Sequence, residues 1–276
     1  MEPNVQRRVQ RYGWDLAAAT YEPLWQAQLA PAHRALMAGA ALSPGERVLD
    51  VACGTGLIAL QAARAVGSRG HVVGVDLSAR MVDAARIRAA ECNVGNATFA
   101  RMDAERLELP AASADAALCA LGLMYFPHPE RAIREMRRVL RPGGRIVIVV
   151  WGERARCGWS PVFPIVDAEV ASDVCPLFFR LGAPQALTRL CADAGFDAIL
   201  EHRIAAELAY PDADDACNAA FAGGPVALAW SRFDDRVRAR VRDRYLAAIE
   251  PWRSGHGYRM PGEFVVAAAV APSGRA

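Results

Sequence analysis

The chain has 276 residues, of which 53% are hydrophobic, and a formal net charge of +2. This length allows one large domain or two small ones, and the hydrophobic fraction is sufficient for a full core. A charge so close to neutrality gives no indication of a nucleic-acid partner or of an acidic partner.

Seven cysteines are spread along the chain without a Cys-x-x-Cys pair. This pattern favours a reducing compartment over a disulfide framework and offers no zinc-binding spacing. Residues 1–11 are polar and rich in arginine, so no secretory signal is predicted. Because no run approaches the roughly 20 apolar residues that cross a bilayer, we expect a cytoplasmic protein without a membrane span.

Helices with an interrupted amphipathic pattern are predicted over residues 5–40. The aromatic side chains of this arm are Tyr12, Trp14, Tyr21 and Trp25. They predict either core residues that hold the arm on the domain or a lid over a bound ligand, and residues of this type are usually buried.

Between residues 45 and 151, apolar strands alternate with helices. The predicted strands are 48–51, 71–77, 97–103, 115–121 and 145–151, and the helices between them are 57–65, 79–92 and 129–140. Strands that are apolar throughout their length predict a parallel sheet covered on both faces.

The pattern changes after residue 151. The predicted elements are a loop with at most one helix, a helix, a strand, a helical insertion and a last strand, at 152–182, 184–194, 198–210, about 212–250 and 263–270. A helical insertion before the last strand predicts a cover for a substrate on this sheet.

A glycine turn follows the first predicted strand. Asp50 lies near the end of the strand, and Gly54 and Gly56 come before an alanine-rich helix. Glycines let backbone N–H groups approach a ligand closely, and a helix N-terminus supplies unpaired donors. In an open α/β sheet, ligands bind at the carboxyl ends of the strands, so the sequence predicts a ligand site here.

Two nucleotide-like ligands suit this turn. Residues 54–59 satisfy the dinucleotide pattern Gly-x-Gly-x-x-Ala, with Asp76 about 20 residues further on where a ribose-binding acid belongs. S-adenosylmethionine needs the same ribose acid but has no pyrophosphate, and it carries an ammonium and a sulfonium. Asp50 suits that positive ligand and would repel a pyrophosphate. The chain also has no lysine for the Tyr-x-x-x-Lys pair of a common hydride-transfer arrangement.

Residues 50–56, Asp-Val-Ala-Cys-Gly-Thr-Gly, resemble the first motif of the class I S-adenosylmethionine-dependent methyltransferases, acid-x-Gly-x-Gly-x-Gly. Ala52 replaces the first glycine, a departure that affects only close backbone approach at that point. The resemblance covers residues 45–151 closely and the rest of the chain in element order alone. Within the family the chain is most similar to the ubiquinone-biosynthesis-like group (methyltransferase type 11), which acts on small molecules.

The resemblance implies roles for residues at the ends of successive strands. Asp76 is expected to bind the ribose hydroxyls, and Asp103 to accept a hydrogen bond from the adenine amino group. The implied cofactor contacts are Tyr21, Asp50, Ala52, Gly54, Gly56, Asp76, Leu77, Met81, Met102, Asp103, Ala104, Ala120 and Leu121. Each acid taken singly is also consistent with a turn or a helix cap, but acids after several strands of one sheet favour a ligand site. No metal is expected.

The segment after the fourth predicted strand is expected to line the site of methyl transfer. His128 stands where the similar group often has the Asp of Pro-Asp-Pro. It is a candidate general base near neutral pH, with a helix-entry role as the alternative. Tyr125 is a candidate for a hydrogen bond to the substrate, with packing as the alternative. His256, in a loop before the last strand, is a further residue within potential reach of the pocket.

The expected substrate is a small molecule. No basic stripe and no Asp/Asn-Pro-Pro-aromatic motif of nucleic-acid N-methyltransferases is present. An apolar or aromatic substrate is suggested by Trp151, Trp159, Phe163, Phe178 and Phe179. The alternative is that these aromatic residues form a core beneath a long loop.

The predicted fold is a Rossmann-like α/β domain with a seven-stranded, mostly parallel sheet whose last strand is antiparallel. An N-terminal helical lid over 1–42 is followed by the methyltransferase domain over 43–276, with its core at 45–151 and substrate-covering insertions at 152–182 and 212–250. The predicted reaction is SN2 methyl transfer from S-adenosylmethionine, with S-adenosylhomocysteine as product, to C, O, N or S of the substrate. A monomer or homodimer is expected. The alternatives are a non-catalytic S-adenosylmethionine-binding scaffold and a nicotinamide-dependent oxidoreductase.

Overall fold

The computed structural model describes residues 2–170 and 177–273. The strands are β1 Arg47–Val51, β2 His71–Asp76, β3 Ala97–Arg101, β4 Ala114–Ala120, β5 Leu140–Trp151, β6 Asp197–Tyr210, β7 Arg253–Ser254 and β8 Gly257–Val270. The helices are α1 Pro3–Ala17, α2 Tyr21–Ala40, α3 Leu57–Val66, α4 Ala79–Glu91, α5 Pro129–Val139, α6 Val162–Val170, α7 Ala186–Asp193, α8 Ala213–Phe221, α9 Ala227–Arg232 and α10 Asp235–Ile249.

The sheet has the order β3-β2-β1-β4-β5-β8-β6, with β7 paired to β8. Strands β1 to β5 are parallel, and β8 is antiparallel to both β5 and β6. The chain order reverses at β1, which lies between β2 and β4. The carboxyl ends of β1 and β4 therefore flank the topological switch point, where open α/β sheets bind ligands.

The predicted mostly parallel sheet with an antiparallel last strand is confirmed, but it contains eight strands where seven were predicted. The additional strand is the two-residue β7, which forms a hairpin with β8 through Gly255. The last strand also begins at Gly257, six residues before the predicted start. Pro261 and Gly262 disfavour a strand locally, but pairing of β8 along β6 as far as Tyr210 outweighs that preference.

The two N-terminal helices pack differently. Helix α2 contacts β4, β5, β6 and β8, and its Trp25, Leu29 and Leu36 are at most 4% exposed. Helix α1 instead contacts α4 and α9 and leaves Tyr12 and Leu16 exposed on its outer side. The predicted lid segment therefore consists of a helix that belongs to the core and a helix that covers its surface.

Helices cover the sheet in two groups. Helices α2 and α3 contact each other and the middle of the sheet, whereas α5 and α7 contact each other beside β5, β6 and β8. In the ranges 2–170 and 177–273, no helix combines the length and the apolarity that crossing a bilayer requires. The predicted insertion at 152–182 contains α6, and its residues 171–176 lie outside the described part of the chain.

Deletions distinguish the roles of the two N-terminal helices. Removing residues 2–18 should leave a cooperatively unfolding protein, because α1 contributes little to the packing of the sheet. Removing 2–41 should abolish folding, because losing Trp25, Leu29 and Leu36 costs about 2–5 kcal/mol each against a total stability of about 5–15 kcal/mol. Near-UV circular dichroism during thermal unfolding measures both. A cooperative transition in the 2–41 deletion, or its loss in the 2–18 deletion, would contradict this division.

Candidate cofactor and substrate site

A cleft of about 770 Å³ opens at the carboxyl ends of β1, β2 and β4. The structure brings together on its walls most of the predicted cofactor residues: Tyr21, Ala52, Gly54, Asp76, Leu77, Met81, Met102, Asp103, Ala104, Ala120 and Leu121. Their individual contacts to a cofactor stay predictions.

Asp76 is held rigidly at the cleft wall. Its Oδ2 accepts a hydrogen bond from the backbone N–H of Gly54 at 2.9 Å, and its Oδ1 accepts one from the N–H of Ser78 at 2.9 Å. Burial raises the pKa of Asp76 to about 6, although these amides oppose the shift. Asp76 therefore shapes the glycine turn, and it presents its remaining lone pairs to the cleft.

Asp50 is a buried carboxyl group with an unusual environment. It is 1% exposed, and in the described part of the chain neither carboxylate oxygen has a hydrogen-bond partner of normal geometry. Burial raises its pKa to about 8, although the nearby Ala59 amide opposes the shift. A buried hydrogen-bond acceptor without a donor lowers the stability of the protein by about 1–3 kcal/mol. A positively charged group beside Asp50 would supply the missing partner and would therefore be bound favourably.

The space beside Asp50 is a small cavity that adjoins the cleft. The residues that line both are Tyr21, Ala52, Gly54 and Ala120. His33 of α2 also lines the cavity, and burial lowers its pKa to about 4, so its imidazole is neutral at physiological pH. The Asp50 carboxylate can therefore hold a cation here without competition from a charged histidine.

Ala52 has a left-handed backbone with φ of 56°. This conformation explains why the resembling motif has glycine there, because a side chain in this region costs about 1–2 kcal/mol. The methyl group of Ala52 faces Gly122, where an added Cβ atom would lie 2.4 Å from it. Gly122 therefore provides the space for the substitution at Ala52. By contrast, no atom lies within 4 Å of where a Cβ atom on Gly54 would be, so its backbone is accessible from the cleft.

Gly56 does not line the cleft or the adjoining cavity within the described residues. It is the N-cap of α3, with φ of 86°. A Cβ atom there would lie 3.2 Å from the side chain of Ala85 and 3.5 Å from the ring of Phe99. The structure thus gives this glycine a packing role beside β3 and α4, and its predicted cofactor contact stays a prediction.

Helix α1 supplies cleft residues that the sequence analysis missed, namely Arg7 and Gln10. The guanidinium of Arg7 forms an ion pair with Glu105, and its Nε lies 3.2 Å from the Asp103 carboxylate. The buried residues of α1 are Gln6, Gln10, Gly13 and Ala17. The face of α1 that turns inward carries polar and small residues, where a helix that faces a core would carry large apolar ones. This spacing of polar and small residues is the signal in the sequence that indicates a helix facing a ligand site.

Further contacts fasten α1 over the cleft. The Oγ–H of Ser78 donates a hydrogen bond to Asp15 at 2.6 Å, and the side-chain amide of Gln6 donates one to the carbonyl of Tyr125 at 3.4 Å. The ring of Trp14 meets the ring of Tyr125 edge-on, with centroids 5.1 Å apart. The helix is thus attached to two different walls of the cleft.

The two candidate catalytic residues are placed differently. The ring of Tyr125 lines the cleft. The His128 backbone N–H donates a hydrogen bond to Glu105 at 3.0 Å, and its Nδ1 lies 3.2 Å from Glu130. Within the described residues, His128 is not part of the cleft wall, and His256 lies exposed in the turn between β7 and β8. Both catalytic assignments stay predictions.

A second, small cavity, which we call the aromatic chamber, lies next to the cleft. It is lined by Trp14, Tyr21, Trp25, Leu29, Leu121, Tyr125, Trp151, Trp159, Gly223, Gly224 and Pro225. Of the aromatic residues suggested for the substrate, Trp151 and Trp159 lie in its wall. Phe178 packs behind them, with its centroid 5.5 Å from that of Trp159. In the part of the chain described, no cluster of side chains is suited to hold a metal ion.

Comparison with known proteins adds to this geometry. Residues 48–144 match the family model described as "Methyltransferase domain". The ubiquinone/menaquinone biosynthesis C-methyltransferase UbiE of Pseudomonas aeruginosa is 37% identical over 175 residues, a match that covers 58% of this chain and 68% of that protein.

Solved structures share the fold. The [4+2]-cyclase SpnF is 25% identical, with 91% of this chain and 83% of that one covered and a TM-score of 0.60. Phosphoethanolamine N-methyltransferase 2 of Haemonchus contortus, in complex with S-adenosyl-L-methionine, is 19% identical. That match covers 94% of this chain and 57% of the other, with a TM-score of 0.61, and it bears on the fold alone.

Asp50→Asn should weaken the binding of S-adenosylhomocysteine and remove its pH dependence near neutrality. With a pKa of about 8, the free carboxyl holds a proton below that pH, whereas the ligand ammonium favours the ionised form. Binding then releases a proton, and affinity rises by up to about tenfold per pH unit between pH 6.5 and 7.5. Calorimetry over this range measures the change of affinity with pH. Any pH dependence of the affinity that remains below about pH 6 is attributed to Asp76.

The same substitution should stabilise the free protein at pH 9. The pKa of Asp50 is higher in the folded than in the unfolded protein. The contribution of Asp50 to the free energy of unfolding is therefore fully present below about pH 4 and is lost as the pH rises through about 8. Asn removes that loss, which is worth about 1–3 kcal/mol. Asp83→Asn on exposed α4 is the control. A wild-type affinity independent of pH, or an Asp50→Asn protein less stable than wild type at pH 9, would contradict the assignment.

Proposed function

The chain belongs to the class I S-adenosylmethionine-dependent methyltransferases, and from this premise we propose that it methylates an apolar, aromatic small molecule held in the aromatic chamber. The observation that carries the proposal is that the chamber and the cleft meet at Tyr21, Leu121 and Tyr125. Apolar walls with a few polar groups are typical of small-molecule sites, and aromatic rings pack edge-on or offset against others.

The residues present fit the cofactor. Asp50, buried without a hydrogen-bond partner in the described part of the chain, is suited to the ammonium of the methionine portion. Asp76 is suited to the ribose hydroxyls, and Met102 and Asp103 to the adenine. When bound, the cofactor supplies an electrophilic methyl group on a sulfonium.

The chain contributes positioning and the exclusion of water. The walls of the aromatic chamber keep the acceptor away from solvent, which favours a reproducible approach in line with the methyl group. Tyr125 lies between the cleft and the chamber, so its hydroxyl is suited to orient the acceptor atom. An anionic acceptor atom becomes neutral as the bond to carbon forms, whereas a neutral one must also release a proton to a base or to solvent. An acceptor that ionises before transfer therefore needs no general base from the protein.

Helix α1 is proposed as the movable part of the cover. Its Arg7 pairs with Asp103, the acid assigned to the adenine, so cofactor entry requires this contact to be exchanged. The attachment points of α1 are polar and few, whereas α2 is embedded in the core. The N-terminal lid is therefore proposed to be α1, with α2 as its fixed base.

The relative UbiE is named for C-methylation in ubiquinone and menaquinone biosynthesis. By analogy, we propose two kinds of acceptor atom: an oxygen on the aromatic ring, and a ring carbon that a neighbouring oxygen activates. The [4+2]-cyclase has the same fold but is named for a different reaction, and a shared fold does not determine the reaction. Formation of S-adenosylhomocysteine must therefore be measured directly.

Methyl-labelled S-adenosylmethionine, incubated with the protein and a metabolite extract, should transfer label to a solvent-extractable product with an aromatic absorption spectrum. S-adenosylhomocysteine should form in equal amount over time. Asp76→Ala, which removes the proposed ribose contact, is the control and should lower both signals together. Label in the nucleic-acid or protein fraction, or no S-adenosylhomocysteine above the blank, would refute the proposal.

Two substitutions distinguish the candidate polar residues. His128→Gln should change kcat by less than about threefold, because within the described residues its side chain is not part of the cleft wall, whereas loss of a general base costs about 10²–10⁴. Tyr125→Phe should lower kcat/KM by about tenfold or more, the value of one hydrogen bond to a charged oxygen. Steady-state kinetics at neutral pH measures both. A large fall with His128→Gln would restore its assignment as base.

A further inference from the structure

The indole Nε1 of Trp159 is a buried donor with no hydrogen-bond partner among the described residues. The residue is 1% exposed and lies in the wall of the aromatic chamber. Trp25, in the same wall, donates its Nε1–H to the carbonyl of Ala219 at 3.2 Å. Because nearly all buried donors in proteins are paired, the difference between these two indoles requires an explanation.

The rings around Trp159 hold it in place but offer its N–H only the weak acceptor of a ring face. Its ring centroid lies 5.0 Å from that of Trp151, 5.6 Å from Trp25 and 5.5 Å from both Phe163 and Phe178. Such edge-on and tilted contacts stabilise the indole without satisfying its N–H. The donor is therefore fixed in orientation before any ligand arrives, which reduces the entropic cost of binding.

The buried polar atoms without a partner in the described chain are few. They are Arg7 Nε, both carboxylate oxygens of Asp50 and Trp159 Nε1. Arg7 Nε is still 3.2 Å from the Asp103 carboxylate, so it is electrostatically paired. The remaining groups belong to residues that line the two cavities adjoining the cleft: Asp50 lines one, and Trp159 lies in the wall of the aromatic chamber.

We propose that Trp159 donates its Nε1–H to an oxygen of the substrate. The substrate is then a flat, apolar molecule that carries a carbonyl or an ionised phenolic oxygen, seated where the cleft meets the chamber. This assignment rests on the proposed function and deepens it, since it names an acceptor group that the substrate must have. A hydrocarbon of the same shape leaves the N–H unpaired and binds less well.

Two probes of matched skeleton test the donor directly. Tetralin and 1-tetralone differ by one carbonyl oxygen, and the quantity measured is the ratio of their dissociation constants, by calorimetry with full-length protein saturated with S-adenosylhomocysteine. Trp159→Phe should shift this ratio by about two- to twelvefold toward tetralin, the value of one neutral hydrogen bond. The shift should arise from weaker binding of 1-tetralone.

Two further variants keep the test specific. Trp25→Phe removes an indole N–H that is already paired within the protein, so it should leave the ratio as in wild type, whatever it does to both affinities. Replacing Trp159 by the isosteric β-(3-benzothienyl)alanine keeps the ring shape, removes only the N–H and should reproduce the Trp159→Phe shift. If Trp159→Phe does not fold, the variant with β-(3-benzothienyl)alanine provides the test of the N–H donor.

An unchanged ratio in both Trp159 variants would overturn the proposal, and so would failure of wild type to bind either probe. The measurement involves no methyl transfer. A shifted ratio without labelled product would therefore refute the methylation proposal alone, and labelled product with an unchanged ratio would refute the role of Trp159 alone.

Discussion

The carboxylate of Asp76 is the contact on which the site depends. By accepting from Gly54 and Ser78, it joins the turn after β1 to the start of α4. Ser78 caps α4 through Met81 and also bonds to Asp15 of α1. One side chain at the end of β2 thus fixes the glycine turn, a helix N-terminus and the attachment of the cover. A change at Asp76 would therefore disturb the shape of the site together with any contact to ribose, and measurements of affinity need a parallel measurement of stability.

The site carries groups that reduce stability in the free protein. Asp50 has a carboxylate buried without a normal partner in the described chain, and Ala52 occupies a left-handed conformation. Such features are concentrated at functional sites, where the surrounding structure holds them in place. Here the support is the parallel sheet: β1 is flanked by β2 and β4, and its residues before the turn are buried. A rigid strand between two neighbours can hold an unfavourable carboxyl group and an unfavourable turn at its end.

The sequence predicted the sheet and the acids at strand ends because apolar strands and the glycine turn are local signals. It could not predict how Ala52 is accommodated, since the space comes from Gly122 after a different strand. His128 illustrates the same limit, because its position in the motif suggests a base while its ring lies beside Glu130. Gly56 matches the motif, yet it meets Ala85 and Phe99. In each case the outcome depends on a neighbour that is distant in sequence or on the direction of a side chain.

The aromatic chamber, the proposed substrate site, is packed differently from α1, the proposed cover. Trp25 and Trp151 line the chamber and also belong to the core; they contact each other, and Trp151 also contacts Phe264 of β8. A chamber built from core residues keeps its shape, so discrimination between substrates does not depend on closure. The polar contacts of α1, by contrast, lie at the edge of the cleft and can be exchanged with solvent or with a ligand. Helix α1 therefore takes part in both proposed tasks: it covers the cofactor cleft, and its Trp14 joins residues of the sheet and α2 in the wall of the proposed substrate chamber.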